Sequence, residues 1–496
     1  MNMSVRIATP RPSGPSIKSG RALALILAGL SLTACQTARN VGDSLFGGGV
    51  QAGSPGFVQG FLGGVASEEP VSAAIARDIL SSGGSAADAA VAAGFAMAVT
   101  LPSRVGIGGG GACLVFQPRR NEVEAVMFLP GTRASAPGNA DRPGAVPMLA
   151  RGLFALHTRF PTARPFEELI APAEQLARFG VPMSRALYAD VTAVQAALFA
   201  DPEARTVFAA ANGQPMPIGD RFRNPGLGGT LSALRVSGVG DLYQGALARR
   251  LEEGSGQIGA GTISLAELRA ALPQLMAPIV VNGRSGDRVA FLPPPADGGL
   301  AAAAAFLALQ AGQSPEDAQA RAMAVASAIR TRGGDPAALL AATDLTGASL
   351  PALPASAGLM VYDRNGNAVT CAFTMNNLFG TGRIAPGMGF LMAAAPGLGR
   401  ISPPLLSAAI GWNPNLRAFR MAAAGSGQEA APMAVAAPFA AQMLRQASAE
   451  AAAQTVPQPG RVQLGQCPRY LPGWQQLCTT LSDPRGAGVA LGATDR

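Results

Sequence analysis

The chain has 496 residues, of which 48% are hydrophobic and 14% are charged, and it contains 62 glycines and 40 prolines. This composition indicates a globular protein with many turns and excludes a largely disordered one, which needs fewer apolar residues and more charge. The formal net charge is +8, but the arginines are scattered and only 5% of the residues are aromatic. The pattern therefore predicts no nucleic-acid partner.

Two residue counts narrow the possible chemistry. The chain has one histidine, His157, and its only lysine is Lys18, close to the amino terminus. A Ser-His-Asp hydrolase would depend on His157 alone, and the count excludes a His-rich zinc site. Schiff-base chemistry, a Ser-Lys dyad and a P-loop each need a lysine that the chain lacks beyond Lys18. We therefore expect no metal and a reaction that needs neither imidazole nor ammonium side chains.

The amino terminus is typical of an exported protein. Residues 1–34 combine a basic region with an uncharged stretch from Ala22 to Ala34 that is too short to span a bilayer, as in a secretory signal. The stretch Leu-Thr-Ala-Cys ending at Cys35 resembles a bacterial lipobox. It implies a lipid anchor at Cys35 on an envelope membrane, facing the periplasm; the alternative is an ordinary cleaved signal. Residues 35–69 are predicted to form a flexible Gly/Ser-rich tether.

The other four cysteines fall into two pairs of different character. Cys113 and Cys371 lie in apolar runs and are predicted to be buried. Cys467 and Cys478 flank a proline-containing loop, so they could form a disulfide in an oxidising compartment. The sequence leaves that pairing open.

The body begins near residue 70 with alternating helical and strand patterns. The spacing predicts a helix over 71–84 and a small-residue helix over 85–100, followed by a glycine run at 108–111 that leads into a strand. The glycines precede a strand and no Gly-Lys-Ser/Thr follows, so they favour close backbone approach over a nucleotide site. Residues 150–275 and 300–345 are mostly helical by periodicity. Four further buried strands are predicted, in EVEAVMFL, RVAFL, GLMVYD and AVTCAFTM.

A long motif connects this pattern to a known family. The stretch GGSAADAAVAAGFAMAVTLPSRVGIGGGG, from Gly83 to Gly111, resembles the opening signature of the γ-glutamyltranspeptidases. Similar stretches follow in order, including RASAP, the segment 362–382 and DPRGAGVALG, so the resemblance covers about 70–492. It implies an α+β fold, the four-layer αββα sandwich of N-terminal-nucleophile hydrolases. A large-subunit-like region, 70–355, and a small-subunit-like region, 356–496, would form one body.

The resemblance also implies a nucleophile. Members of the family cleave their own backbone before a threonine, whose new α-amine then acts as its base. Counting back from Asp363 places Ser356 at that position, in the sequence Ser356-Ala357-Gly358. An α-amino group has a pKa near 8 and can serve as a base without histidine or lysine. The alternative is a loop serine in a degenerate homologue, and whether the Ala355–Ser356 bond breaks stays open.

Several other family residues carry over. Thr374 matches the threonine that supports the nucleophile, and Asn376 matches the asparagine beside the amino end of the substrate. Arg133 matches the arginine that holds the substrate carboxylate, for which a planar guanidinium is suited; the alternative is a structural ion-pair arginine. Ser407 lies near the carboxylate-binding serine pair of the family, of which only one serine remains.

The departures from the family lie where the substrate is chosen. Ala134 replaces the acid that follows the arginine, and residues 393–398 read AAAPGL where the family has an acid and amides that grip the α-ammonium of glutamate. An unpaired buried charge is costly, so an acyl group without that ammonium fits better. The oxyanion glycine pair reads AGSGQE, in which Gly425 or Gly427 could donate an N–H.

The sequence therefore predicts an enzyme of a particular type. It would be a self-processing amidohydrolase or acyltransferase acting on a γ-glutamyl or related carboxylate-bearing acyl amide, with a small-molecule or peptide substrate and no cofactor. The alternative is a catalytically inactive homologue that serves as an envelope binding or scaffold lipoprotein. Hydrolysis versus transfer, the choice of membrane and the oligomeric state are left open.

Overall fold

The computed structural model describes residues 60–492, apart from 135–137, 139, 161, 347–349, 351–355 and 399–401. These residues belong to one compact unit. The predicted signal at 1–34, the lipidation site Cys35 and most of the predicted tether lie outside the described residues. Within the described ranges, no helix combines the length and the apolar character that a membrane crossing requires.

Two antiparallel sheets form the centre of the body. In the described ranges the strands are β1 (Gly63–Ser67), β2 (Gly110–Gln117), β3 (Glu122–Phe128), β4 (Val181–Pro182), β5 (Arg221–Phe222), β6 (Gln274–Met276), β7 (Ile279–Asn282), β8 (Arg288–Phe291), β9 (Ser356–Asp363), β10 (Ala368–Thr374), β11 (Ser407–Asn413), β12 (Ala418–Ser426), β13 (Arg461–Leu471), β14 (Thr479–Ser482) and β15 (Val489–Leu491). The first sheet has the order β15-β1-β9-β10-β2-β3-β6 and the second β14-β13-β12-β11-β8-β7, while β4 and β5 form a separate pair.

Helices cover the outer face of each sheet. In the described ranges they are α1 (Pro70–Ser81), α2 (Ala86–Thr100), α3 (Leu149–Arg159), α4 (Phe166–Phe179), α5 (Arg185–Ala193), α6 (Gln195–Leu198), α7 (Pro202–Phe208), α8 (Pro225–Ser237), α9 (Asp241–Gln244), α10 (Ala246–Ser255), α11 (Leu265–Ala270), α12 (Asp297–Gln310), α13 (Pro315–Arg332), α14 (Pro336–Ala341), α15 (Ala431–Arg445) and α16 (Ala449–Ala453). The helices α1, α2 and α3 contact the first sheet, and α12 and α15 contact the second. The predicted four-layer αββα architecture is confirmed.

The second helix shows why small residues are needed between the layers. All 15 residues of α2 are buried, and the helix contacts β9 and β10 on one side and α1 and α4 on others. Its start is fixed by a capping box, in which Ser85 and Asp88 each accept the other's backbone N–H. Asp363, at the end of β9, accepts the N–H of Ala86 at 3.1 Å. This contact ties the strand that begins at Ser356 to the buried helix.

The predicted flexible tether, 35–69, extends too far at its carboxyl end, because part of that segment is a strand of the body. Residues 63–67 form β1, which is buried between β9 and β15 in the first sheet. Gly63 has φ of 123°, and a Cβ on it would lie 2.0 Å from the carbonyl oxygen of Tyr362. The glycines that read as a linker are therefore required because β1 passes very close to β9.

Two disulfides are present among the described residues. Cys467 and Cys478 are joined, which confirms the pairing that the sequence left open. Cys113 and Cys371 are fully buried as predicted, and they too are joined, because they occupy directly opposite positions in β2 and β10. Sequence patterns contain no signal for this second pairing, because it depends on the register of the two strands.

Candidate active site

The predicted nucleophile is the first residue of a buried strand. Ser356 opens β9, and only 2% of its surface is exposed. In the register of β9 and β10, Ser356 lies directly opposite Thr374. Opposite residues in an antiparallel pair have Cα atoms about 5 Å apart and side chains on the same face. The structure therefore brings together the two residues that the sequence predicts to be catalytic.

A tight turn after β10 holds the hydroxyl of Thr374. The backbone N–H of Asn376 donates to Oγ1 of Thr374 at 2.7 Å, and Nδ2 of Asn376 donates to the carbonyl oxygen of Ala394 at 3.0 Å. Asn376 has φ of 59°, a left-handed conformation that asparagine adopts more readily than most residues. Asn376 thus lies beside Thr374, the residue opposite the predicted nucleophile, and its side-chain N–H is directed to the alanine segment 393–395.

That alanine segment is part of the interior. Ala393, Ala394 and Ala395 are at most 3% exposed. The N–H of Ala394 donates to the carbonyl of Met375 at 3.1 Å, and the N–H of Ala395 donates to that of Pro143 at 2.8 Å. The segment is packed backbone with methyl side chains, so it offers no carboxylate to a substrate ammonium.

The second sheet contributes its own strand ends to the same region. A Cβ placed on Gly358 would lie 3.0 Å from Cβ of Ala424, so β9 and β12 are stacked at this level. Side chains two residues apart along a strand point to the same face. Ser356 and Ser426 are therefore directed into the space between the sheets at one end of the sandwich.

The other predicted residues of the second sheet are found at this end as well. Ser407 is the first residue of β11, and its hydroxyl donates to the carbonyl of Leu405 at 3.3 Å. It lies opposite Gly425, which is also paired with Val462 on its other side. Gly427 lies beyond the end of β12 with φ of 101°. The oxyanion role predicted for Gly425 or Gly427 fits Gly427 better, because Gly425 is inside the sheet.

A buried carboxyl group that the sequence analysis did not single out lies at this end. Glu68 follows β1 and is 6% exposed. Its Oε1 accepts the N–H of Gly358 at 2.9 Å, so it touches the strand of the predicted nucleophile two residues from Ser356. Burial raises the pKa of Glu68. The charge of Arg104 and a hydrogen bond from Ser426 lower that pKa, but they offset the effect of burial only in part. Glu68 therefore connects the ends of the two sheets.

Arg104 and Asp190 extend this connection outwards. The guanidinium of Arg104 makes two hydrogen bonds of 2.8 Å to the carboxylate of Asp190 and one of 3.2 Å to Glu68. The hydroxyl of Ser103 donates to Asp190 at 2.7 Å. Because these two carboxylates favour the charged guanidinium, the pKa of Arg104 is raised above its usual value despite burial. Only the spatial arrangement reveals this cluster, since its members are far apart in sequence.

Arg133 is placed differently from its predicted role. Its side chain is 2% exposed and is bonded to the carboxylate of Glu267 at 3.0 Å. It also donates to the carbonyls of Gly144 at 2.9 Å and Thr262 at 2.6 Å. Burial would raise the pKa of Glu267, but the N–H of Ser264 and the Arg133 guanidinium outweigh it and hold that pKa at about 2. These contacts favour the alternative of a structural ion-pair arginine.

Two cavities are lined by residues of this region, although neither lining includes Ser356 or Thr374. One, of about 290 Å³, is lined mainly by apolar residues such as Leu378 and Ala394, together with Asn377, Asp141 and Arg142. The other, of about 660 Å³, is lined by Glu68, Ser426 and Gly427 among others. Among the described residues, no cluster of histidine, cysteine or acidic side chains could hold a metal ion.

Comparisons with known proteins agree with this architecture. A sequence model of the gamma-glutamyltranspeptidase family matches residues 72–350. The chain is 30% identical over 258 residues to the glutathione hydrolase proenzyme of Bacillus subtilis (strain 168), covering 48% of the chain and 43% of the relative. It is 31% identical over 233 residues to the oxamate amidohydrolase proenzyme of Klebsiella pneumoniae, covering 44% and 43%. The matched segments thus span less than half of either relative.

A solved structure extends the likeness to the whole body. The crystal structure of cephalosporin acylase from Bacillus halodurans superimposes with a TM-score of 0.70, covering 89% of this chain and 97% of that chain. At 19% sequence identity this likeness concerns the fold alone. The family match at 72–350 covers more than half of the 496 residues, and the resemblance inferred from the sequence motifs is confirmed. The chain belongs to the gamma-glutamyltranspeptidase family.

Proposed function

We propose that this chain is a self-processing amidohydrolase or acyltransferase in which Ser356 becomes the amino-terminal nucleophile. One observation carries the proposal: Ser356 begins β9, is buried, and lies opposite Thr374, whose hydroxyl is held by the N–H of Asn376. Cleavage of the peptide bond that precedes Ser356 would free the α-amine of this residue, next to its own hydroxyl. This arrangement suits a chain whose only lysine is Lys18.

The chemistry can be followed bond by bond. Oγ of Ser356 attacks the carbonyl carbon of Ala355, the peptide C–N bond breaks, and the chain passes through an ester on Oγ. Water hydrolyses this ester, which leaves a carboxylate on Ala355 and a free α-amine on Ser356. In each later turnover that amine takes the proton of Oγ as the oxygen attacks a substrate amide, and the leaving amine receives a proton. Water or an acceptor amine then removes the acyl group.

The proposed substrate is an acyl amide that carries a carboxylate and lacks an α-ammonium group. The buried methyl groups of Ala393, Ala394 and Ala395 support the second part, because a charged ammonium there would have no carboxylate partner in that segment. The names of two relatives, a glutathione hydrolase and an oxamate amidohydrolase, support amide substrates that contain a carboxylate. The N–H of Gly427 would stabilise the oxyanion.

We also propose export and lipid anchoring at Cys35, on the strength of the Leu-Thr-Ala-Cys sequence and the basic, then apolar, residues before it. In a bacterial host fed labelled palmitate, the wild-type chain should incorporate label and fractionate with envelope membranes. Cys35→Ser should remove the label while leaving the chain exported. Label that persists in Cys35→Ser would contradict the assignment.

Self-processing is tested on a denaturing, reducing gel of the purified protein. The expected result is two fragments that meet at Ala355–Ser356, with serine at the amino terminus of the fragment 356–496. Ser356→Ala should remain one band, whereas the matched control Ser356→Thr keeps the hydroxyl and should still yield two. Hydrolysis of glutaryl and γ-glutamyl anilides by the processed protein then compares substrates with and without the ammonium, and the glutaryl compound should be preferred.

An intact wild-type chain would favour the inactive binding or scaffold lipoprotein instead, because the proposed base does not exist until the peptide bond breaks. Processing with continued anilide hydrolysis in Ser356→Ala would show that another residue is the nucleophile.

A further inference from the structure

The larger cavity beside the candidate active site has a markedly basic lining. Its volume is about 660 Å³, and its charged lining residues are four arginines and one glutamate: Glu68, Arg104, Arg185, Arg461 and Arg485. The remaining lining residues are neutral. A concave site with several guanidinium groups is the arrangement that proteins use to recognise carboxylate or phosphate groups.

Two of the arginines are already neutralised. Arg104 forms a bidentate ion pair with Asp190 and also contacts Glu68. Arg485 forms a bidentate ion pair with Asp483, through hydrogen bonds of 2.9 Å and 2.6 Å. Their charges are balanced by protein carboxylates, so they add little attraction for a ligand.

The other two arginines have no carboxylate partner among the described residues. Arg461 donates only to neutral acceptors, the side chain of Gln458 and the carbonyls of Pro459 and Gly460, at 2.7–3.0 Å. Arg185 is exposed at the beginning of α5 and makes no ion pair with any described residue. The cavity therefore holds a surplus of positive charge at Arg185 and Arg461.

The position of the cavity connects this charge to the proposed reaction. The lining residue Glu68 accepts the N–H of Gly358, two residues from Ser356. Gly427, the better-placed oxyanion glycine, is another lining residue, and Arg461 lies opposite Ser426 in the register of β12 and β13. A molecule in the cavity would thus contact Glu68, which is bonded to the strand of Ser356, and the end of β12.

We propose that this cavity is the anion subsite of the enzyme, in which Arg185 and Arg461 bind a carboxylate of the substrate. The inference rests on the proposed function for its role in catalysis and identifies where the substrate carboxylate is recognised. The guanidinium of Arg133 is occupied by Glu267 and three backbone carbonyls, so Arg185 and Arg461 take the role that the sequence assigned to it. The carboxylate belongs either to the acyl group or to the amine that leaves.

Binding is tested first, without relying on turnover. Glutarate is titrated calorimetrically, at low ionic strength, into full-length Ser356→Ala protein with its arginines intact, with the uncharged diamide of glutarate as the control ligand. Glutarate should bind and the diamide should not. In Arg185→Met/Arg461→Met the affinity should fall at least tenfold, while Arg185→Lys/Arg461→Lys should retain part of it. Arg249→Met, an exposed arginine outside the cavity lining, should bind as the parent does.

Loss of binding must be separated from loss of folding. Arg185 is exposed, so Arg185→Met alone should fold normally and still weaken glutarate at least threefold. Failure of the parent to bind glutarate, or equal affinity in the double methionine variant, overturns the subsite whether or not the chain processes itself.

Kinetics with two matched amides then distinguishes the two sources of the carboxylate. Glutaryl anilide carries it on the acyl group, and the butyryl amide of 4-aminobenzoate carries it on the leaving amine. In processed protein, Arg185→Met/Arg461→Met should raise KM at least tenfold for one of them, with kcat changed less. If glutarate binds but neither KM rises, the cavity is an anion site outside the reaction and the substrate assignment is wrong.

Discussion

At the scale of single residues, the candidate site divides into positions that the sequence could reveal and positions that only the fold creates. Ser356, Thr374 and Asn376 could be found because they occur in order along a motif, and the structure places them together. Glu68 could not, because its importance comes from accepting the N–H of Gly358, which lies 290 positions further along the chain. The substrate role of Arg133 stays a prediction that its buried contacts with Glu267 do not favour.

The pH dependence of stability should report on Glu68. Its pKa is raised in the folded protein, mainly by burial, so the folded state binds the proton more tightly than the unfolded state. The stability that this carboxyl contributes is therefore fully present below its unfolded pKa of about 4.5 and is lost as the pH rises through the folded value. Compared with the parent, Glu68→Gln should lose less stability between pH 4.5 and pH 8.

Urea unfolding in the Ser356→Ala background would measure this difference, since that background excludes any effect of chain cleavage. Glu253→Gln, which alters an exposed acid on α10, is the matched control and should follow the parent. Equal slopes for Glu68→Gln and the parent would contradict the assignment of a raised pKa.

At the scale of elements, the helices and the first sheet are easier to predict than the second sheet. The strands β3, β9 and β10 are rich in branched and aromatic residues, and the sequence analysis identified them. In contrast, β12 contains the run Ala422–Ala424, and alanine by itself favours helix. This strand needs small residues because β12 is buried between β9 and α15: a Cβ on Gly425 would lie 2.6 Å from the carbonyl oxygen of Ala431. Packing between layers overrides the local preference there.

Two helical glycines should respond in opposite ways to alanine. In α3, a Cβ on Gly152 would lie 2.0 Å from Cγ of Phe128, so Gly152→Ala should force the helix away from β3 and lower the free energy of unfolding. In α8, Gly229 has nothing within 4 Å of that position. Gly229→Ala should therefore stabilise the protein, by up to about 1 kcal/mol, because alanine is the better helix former.

Thermal and urea unfolding of the two variants measure the contrast directly. A loss of about 1–3 kcal/mol is expected for Gly152→Ala, the usual range for overpacking a core. Similar effects at both positions would mean that α3 does not pack on β3 as described.

At the scale of the whole molecule, the segments of the chain before and after Ser356 contribute strands to the same sheets. In the first sheet, β9 and β10, which begin at or after this residue, lie between β1 and β2, which precede it. The family motif allowed this layered arrangement to be predicted, because it covers most of the body. The tether boundary and the pairing of Cys113 with Cys371 could not be predicted, since both depend on strand register, which sequence patterns leave open.

The disulfide between Cys113 and Cys371 should contribute strongly to global stability. It closes a loop with a sequence separation of 258 residues. A disulfide lowers the conformational entropy of the unfolded chain, and this effect grows with the length of the closed loop. In the unprocessed Ser356→Ala protein, Cys113→Ala/Cys371→Ala should lower the free energy of unfolding by about 2–5 kcal/mol. Cys467→Ala/Cys478→Ala, which opens a loop with a separation of only 11 residues, should cost less. A larger loss for the short loop would contradict this ranking.

The same disulfide has a consequence for the protein after self-cleavage. Cys113 precedes the Ala355–Ser356 bond and Cys371 follows it, so breaking that bond would leave the two halves covalently joined. On a gel run without reductant, processed protein should migrate as one species, and the two fragments should separate only when thiol is added. With the proposed lipid on Cys35, the amino-terminal half would therefore hold the nucleophile-bearing half at the membrane even if the contacts between the strands were lost.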